Sequence, residues 1–431
     1  MRILIDSDNS DCHNMGDVAM LQMAVARLSA QWPDATIEVI TKVPASLAIH
    51  CPSVIPVDYW SRYSWLADDY LLGRLHTLLP DPTSHQLGEL KRTLERHVPA
   101  LVASTIRLRS QLAGHEIGDP RAFLDTLSEA DLLVVCGLGG LTDFFQPLAY
   151  LVLNTLEIAM RCSKPTAMFS QGIGPIEHHA LLSRVKAVLP KVDLIALREN
   201  RSGLPLLKSM GVAPDRIVVT GDDAVELAYE ARPNTFGKGM GINLRVAASS
   251  GVDHSFVAKV RGPLHQFAKT HNAPLLPVPI SIFNPLYDPQ TIRELMMGYD
   301  DTSDGGAHLN TPLKIIEQVG QCRIVVTGAY HAAVFALAQG VPVVCLAKTA
   351  YYMDKFMGLA DLFGTGCETV MLQDVNLSEK LTAAMERAWA TADEVRPVLL
   401  AASVRQIELG RNAYRQLHDQ VTPVIPVRVL A

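Results

Sequence analysis

At 431 residues the chain is too long for one ordinary core and points to two domains of roughly 200 residues each. Hydrophobic residues make up 48% and charged residues 19%, which excludes a disordered chain, and a net charge of −6 without a dense Lys/Arg block excludes a dedicated nucleic-acid surface. No apolar run reaches the ~20 residues that span a bilayer, and the seven cysteines, scattered singly with no Cys-x-x-Cys pair, read as reduced thiols in a cytosolic protein without a zinc site.

The chain opens on a strand, Arg2–Ile5, rather than a signal peptide, because Asp6 interrupts the apolar run at once. Asp8-Asn9 and then Asn14-Met15-Gly16-Asp17 lead into a helix over Gly16–Gln31, with Val18, Leu21, Val25 and Leu28 on one face. Here Asp17 is expected to cap the helix and Gly16 to let backbone approach a ligand, with a plain Asx turn as the alternative. Further strands are predicted at Ile37–Thr41, Leu132–Cys136, Pro165–Ser170, Leu194–Leu197 and Arg216–Thr220. Between the first and second of these, Trp60–Asp125 is helical in periodicity and too long for a connecting loop, so it reads as a helical insertion, a structural flap with a lid or an interface as the alternative.

After Glu230–Lys238, the expected domain boundary, strands Gly239–Leu244, Leu275–Pro279, Cys322–Val326 and Val341–Leu346 alternate with helices Val257–Thr270, Thr311–Val319 and Tyr330–Gln339. Two amphipathic helices, Leu377–Ala392 and Glu394–Leu417, are expected to pack back across the first domain, ahead of an apolar tail, Pro423–Ala431. The alternation predicts an α/β protein: two Rossmann-like parallel-sheet domains, residues 1–230 and 231–376, facing a cleft, with residues 377–431 as the returning segment.

Ligands of such sheets bind at the carboxyl ends of the strands. Cys136 is followed by Gly137-Leu138-Gly139-Gly140, and Ser170 by Gln171-Gly172-Ile173-Gly174-Pro175, glycines able to present N–H groups to an anion. Arg198 and Arg245 close strands, where a guanidinium fork can hold carboxylate or phosphate. The alternative is an ion pair, with Glu199 for Arg198 and an unseen acid for Arg245. Asp222 and Asp223 follow a strand as bases, sugar contacts or caps. His331 stands in the first turn of the helix after Val326, and Tyr352 and Lys355 lie beyond the next strand on the same rim.

Taken in order, Asn14-x-Gly16-Asp17, Cys136-Gly137-Leu138-Gly139-Gly140, Gln171-Gly172-Ile173-Gly174-Pro175, Leu197-Arg198-Glu199-Asn200-Arg201-Ser202, Thr220-Gly221-Asp222-Asp223-Ala224, Asn243-Leu244-Arg245, the His331 helix with Gly340-x-Pro342, and Tyr352-x-x-Lys355 resemble the polysaccharide pyruvyl transferase family. The resemblance covers most of the chain outside the insertion and the tail. It implies a fold like the two-domain glycosyltransferase B type. It also implies transfer of a pyruvyl group from phosphoenolpyruvate, as co-substrate and without a cofactor or metal, onto two hydroxyls of a saccharide acceptor. Catalysis would then fall to His331 and Asp222, donor binding to Arg198, Arg245, Tyr330 and Lys355, and cleft or acceptor contacts to Asn14, Gly16, Asp17, Gly139, Gly140, Gln171, Asn243 and Tyr352. A cytoplasmic site of action follows, at the inner face of the membrane where the acceptor is lipid-linked. The family's arginine two residues before the histidine is replaced by Ala329, so Arg245, Lys348 or Lys355 must stand in for it, or the donor differs. The competing readings are a glycosyltransferase using a nucleotide sugar and a non-catalytic member of the family.

Overall fold

A computed structural model describes residues 1–7, 11–66, 99–113, 118–137, 139–283 and 286–422. Strands β1 (Arg2–Ser7), β2 (Thr36–Thr41), β3 (Ile55–Asp58), β4 (Leu132–Cys136), β5 (Thr166–Gln171), β6 (Leu194–Leu197) and β7 (Ile217–Val219) pair in parallel, in the order β3-β2-β1-β4-β5-β6-β7. The second half supplies β8 (Gly239–Asn243), β9 (Leu275–Pro277), a small hairpin of β10 (Ile282–Phe283) and β11 (Leu286–Tyr287), then β12 (Cys322–Thr327), β13 (Val343–Ala347) and β14 (Cys367–Met371). Its main sheet is also parallel, ordered β14-β13-β12-β8-β9. Helices cover both faces of each sheet, so central strands are buried on both sides and read as continuous apolar runs; β4, Leu-Leu-Val-Val-Cys, is buried throughout.

Strand order reverses between β1 and β4 in one sheet and between β8 and β12 in the other. These switch points place the carboxyl ends at Ser7, Cys136, Asn243 and Thr327, where crevices form. The halves are joined by backbone: Met15 N–H donates to Ile280 C=O (2.8 Å) and Ile282 N–H to His13 C=O (3.0 Å), around a bridge pairing Asn14 with Ser281. Helix Tyr330–Ala338 is buried at every residue, and its four alanines let it lie close against helix Ala224–Glu230 of the first half.

One helix, Leu377–Val421, replaces the two expected at the C-terminus. Pro397 removes a backbone donor and would be expected to break it. Its apolar face nevertheless continues through Ala392, Leu399, Ala402 and Ile407, and the Arg396 guanidinium beside the proline donates to Gln339 C=O (2.9 Å) and Pro233 C=O (2.6 Å). The helix runs along β12, β13 and β14 before it reaches helix Met15–Gln31 and β6. Of the expected insertion, Tyr59–Leu66, Pro99–Ala113 and Pro120–Glu129 are helical, while residues 67–98 and 114–117, and the tail 423–431, lie outside the described residues.

Where the last helix meets the first half, Arg27 is buried and donates to Glu226 from Nε (2.8 Å) and Nη2 (2.6 Å), and pairs with Asp223. The Tyr414 hydroxyl also donates to Asp223 (2.8 Å), and its ring stacks on Phe169 with centroids 3.8 Å apart. Asp223 is therefore an internal anchor rather than a cleft residue. Removing the cation would leave the buried Asp223 carboxylate without a counter-ion and Glu226 with Arg411 alone: Arg27→Ala should lower unfolding free energy by about 3–5 kcal/mol, read by urea denaturation, without changing the site around residue 331.

Candidate active site

The site forms where helix Tyr330–Ala338 meets helix Met15–Gln31 and the start of helix Ala224–Glu230. A β-carbon added at Gly16 would lie 1.9 Å from the ring of His331, so the absence of a side chain at 16 makes room for the imidazole. Gly16, expected to let backbone approach a ligand, makes room for a side chain of the other half. The cap expectation changes too. Asn14, not Asp17, caps the helix, its side-chain oxygen accepting from the N–H groups of Gly16 (3.0 Å) and Asp17 (3.4 Å). This leaves the Asp17 carboxylate turned to His331, Oδ1 lying 3.9 Å from Nδ1.

Asp222 uses its two oxygens differently. Oδ1 accepts from Ala224 N–H (3.0 Å) at the head of helix Ala224–Glu230, while Oδ2 lies 3.6 Å from His331 Nε2 and 3.8 Å from Arg198 Nη1. Burial works to raise the pKa of Asp222, but His331 and Arg198 outweigh it and hold the carboxyl below its usual range. Asp17 goes the other way: burial, assisted by the charge of Asp222, pushes it up against the pull of His331, Arg198 and Lys355.

Arg198 is buried, with its guanidinium 4.6 Å from the centre of the Tyr330 ring. β-Carbons at Gly139 and Gly172 would sit 2.7 and 2.9 Å from its nitrogens. The absence of side chains at these glycines makes room for the arginine. Gly140 lies in the same loop, its carbonyl accepting from Thr142 N–H (2.9 Å). Glu199 does not pair with Arg198; it accepts from the N–H groups of Arg201 (2.6 Å) and Ser202 (3.2 Å) and starts the following helix, Gly203–Ser209. Burial opposes the charge of Arg198, yet Tyr330, Asp222, Tyr351 and Asp17 raise its pKa, so it stays a cation.

The unseen acid beside Arg245 is Asp288, 3.0 Å away, a residue that nothing in the sequence marked. Its other oxygen accepts from Asn243 Nδ2 (3.0 Å) and from Ile280 and Ser281 N–H (both 2.9 Å). Asn243, expected in the cleft, is thus part of the framework that orients Arg245, its Nδ2 also donating to Val278 C=O (2.9 Å). Gln171 is framework too: its amide donates to Phe169 C=O (2.6 Å) and Val135 C=O (3.2 Å). Lys355 lies over the rings of Tyr351 (4.1 Å) and Tyr352 (5.4 Å), and the Tyr351 hydroxyl crosses to Gly139 C=O (3.2 Å). Lys348 is drawn outward to Asp253, 3.7 Å away.

Three buried polar atoms at this junction, Asp222 Oδ2, His331 Nε2 and the Tyr330 hydroxyl, have no hydrogen-bond partner among the described residues. Buried polar groups are rarely left so, and a cluster of them marks a place for a ligand. The space between Arg198, Tyr330, Tyr351 and Lys355 is only about 10 Å³, room for about one water. A larger groove of about 870 Å³ lies behind helix Met15–Gln31, but Arg27, Glu226 and Tyr414 along it are already engaged with one another or with Asp223. Gly16→Ala should displace the imidazole: an added methyl group costs about 1–3 kcal/mol of packing, and activity should fall with little change in secondary structure, read by assay beside circular dichroism.

A family model described as polysaccharide pyruvyl transferase matches residues 14–348. The amylovoran biosynthesis protein AmsJ of Erwinia amylovora is 22% identical over 225 residues, 52% of this chain and 48% of that protein, so the match spans about half the relative's length. Among solved structures, a protein described as a UDP-N-acetylglucosamine 2-epimerase from Listeria monocytogenes aligns over 95% of this chain and 94% of its own, with a TM-score of 0.55 at 10% identity. The UDP-GlcNAc 2-epimerase of Neisseria meningitidis, bound to UDP-GlcNAc, aligns over 99% and 100% with 0.51 at 11% identity. A glycosyltransferase from Rickettsia africae aligns over 98% of each chain with 0.51 at 10% identity. These likenesses establish the glycosyltransferase B-type architecture.

Proposed function

The chain belongs to the polysaccharide pyruvyl transferase family, and we propose that it moves a pyruvyl group from phosphoenolpyruvate onto two hydroxyls of a sugar in a polysaccharide or its precursor, forming a ketal. The observation that carries this reading is the buried cluster at His331, where Nε2 faces Asp222 Oδ2 at 3.6 Å without a hydrogen bond, the Tyr330 hydroxyl lacks one too among the described residues, and Arg198 and Lys355 ring the adjoining space. A small donor with three negative charges suits such a ring, because charge-assisted bonds from guanidinium to carboxylate and phosphate are short and directional. His331, flanked by carboxylates at both ring nitrogens, is the group that accepts a hydroxyl proton from the sugar. Arg198, stacked on Tyr330, and Arg245, held by Asp288, are the anion clamps.

Ala329 stands where the resemblance expects an arginine, and its side chain offers no charge. A charge-assisted hydrogen bond is worth about 1.5–3 kcal/mol, so another cation must supply it. Lys355 is that replacement: it lines the same small space as Arg198 and Tyr330, whereas Lys348 faces Asp253. Among the described residues no helix is long and apolar enough to cross a membrane, so contact with a lipid-linked acceptor would be peripheral.

Incubation with phosphoenolpyruvate and candidate saccharides should release inorganic phosphate only when both are present. Phosphate release absent with every acceptor, together with turnover of a nucleotide sugar, would replace this reading with glycosyl transfer. His331→Ala should lower kcat by about 10²–10⁴-fold, the span of a lost general acid–base group. Arg245→Ala should act chiefly on the donor, raising its KM at least about tenfold, the effect of a lost charge-assisted contact. Both variants should keep the wild-type circular dichroism spectrum.

A further inference from the structure

Ketal formation from phosphoenolpyruvate needs a proton at the terminal enol carbon as well as bases for the two hydroxyls, and His331 cannot be the donor and acceptor of all of them at once. We infer that Asp17 is a further catalytic residue of this site, the carboxylic acid that protonates the donor's enol carbon. The inference rests on the phosphoenolpyruvate reading above.

Asp17 lies in the first turn of helix Met15–Gln31, but Asn14 does the capping, so the Asp17 carboxylate is not engaged by its own helix end. It approaches His331 at Nδ1, on the side of the imidazole opposite to Asp222 at Nε2. The groups that act on it are His331, Arg198 and Lys355, which favour its charge, and Asp222, which opposes it; Arg245 senses Asp17 in turn. Asp17 therefore stands against the imidazole, 3.9 Å from Nδ1, at the junction where the donor would be held. An ionised carboxylate there repels a multiply charged anion, and donor binding favours the neutral acid. Burial already pushes its pKa upward before any donor arrives. Two carboxyl groups beside one imidazole, displaced in opposite directions, are the arrangement expected when one serves as acid and the other as a fixed charge.

The atoms balance. The enol carbon gains the Asp17 proton, and the neighbouring carbon loses its π bond and its bond to the phosphate oxygen while gaining two bonds to sugar oxygens. Of the two hydroxyl protons released, one restores Asp17 and the other, taken up by His331, leaves with the phosphate. Acid and base then regenerate together, with no oxidant or metal required.

The test is calorimetric titration of phosphoenolpyruvate into the full-length protein at pH 7.5, in two buffers of different ionisation enthalpy, for the wild type and Asp17→Asn. The donor's own protonation cancels between the two proteins. Wild type should take up more protons than the variant, by up to about one per donor bound. Asp17→Asn should bind the donor at least as tightly as wild type, yet release phosphate at least about 100-fold more slowly. Should the amide fail to fold, Asp17→Ser carries the same expectation. Equal proton uptake, or a variant that turns over within about threefold of wild type, overturns the assignment while wild-type phosphate release still supports the donor. Failure of wild type itself to release phosphate from this donor removes the reading and the inference together.

Discussion

The imidazole of His331 occupies the volume that any side chain at residue 16 would need, and this single close approach ties the chemistry to the contact between two separate sheets. His331 belongs to a helix that follows β12, Gly16 to a helix that follows β1, and Asp222 to the turn after β7. None of the three is near another in sequence. Their meeting depends on helix Tyr330–Ala338 lying against helix Ala224–Glu230, which its alanines permit. Packed interiors have little slack, so the geometry at the imidazole is set by how the halves dock rather than by local loop conformation.

Charge is arranged around that contact with some economy. Asp222 serves one oxygen to a helix end and turns the other to His331 and Arg198, while its neighbour Asp223 points away to Arg27 and Tyr414. Consecutive acids thus carry opposite duties, one in the site and one in the framework. Buried ion pairs contribute little net stability because desolvation offsets their attraction. Their effect here is orientation: Asp288 holds Arg245, and Tyr330 with the glycines at 139 and 172 shapes the place of Arg198. The space beside Arg198 and Lys355 is small, about 10 Å³, and the backbone bridge between Asn14 and Ser281 closes the seam next to it.

Much of this was legible in the chain. Parallel strands buried on both faces are continuous apolar runs, so the two sheets, the helix Met15–Gln31 and the helix after β12 stand close to where periodicity placed them. Strand ends of this architecture collect ligands, which marks Arg198, Arg245, Asp222 and His331 as candidates from their places in the chain. Short or polar elements were missed: β3 and β14 alternate weakly, and Asp288 opens a helix of ordinary composition.

Period and composition are properties of neighbouring residues, so the sequence by itself determined which segments are strands, which are helices, and which side chains stand at strand ends. The partner of each such side chain is a matter of distance across the fold, and only the tertiary structure decided it. The glycines at 139 and 172 make room for Arg198 and Gly16 for His331, the helix start that Asp17 was expected to cap belongs to Asn14, and the two helices expected at the C-terminus run as one. In each case the deciding contact joins residues remote in the chain, where local propensity has no influence and packing does.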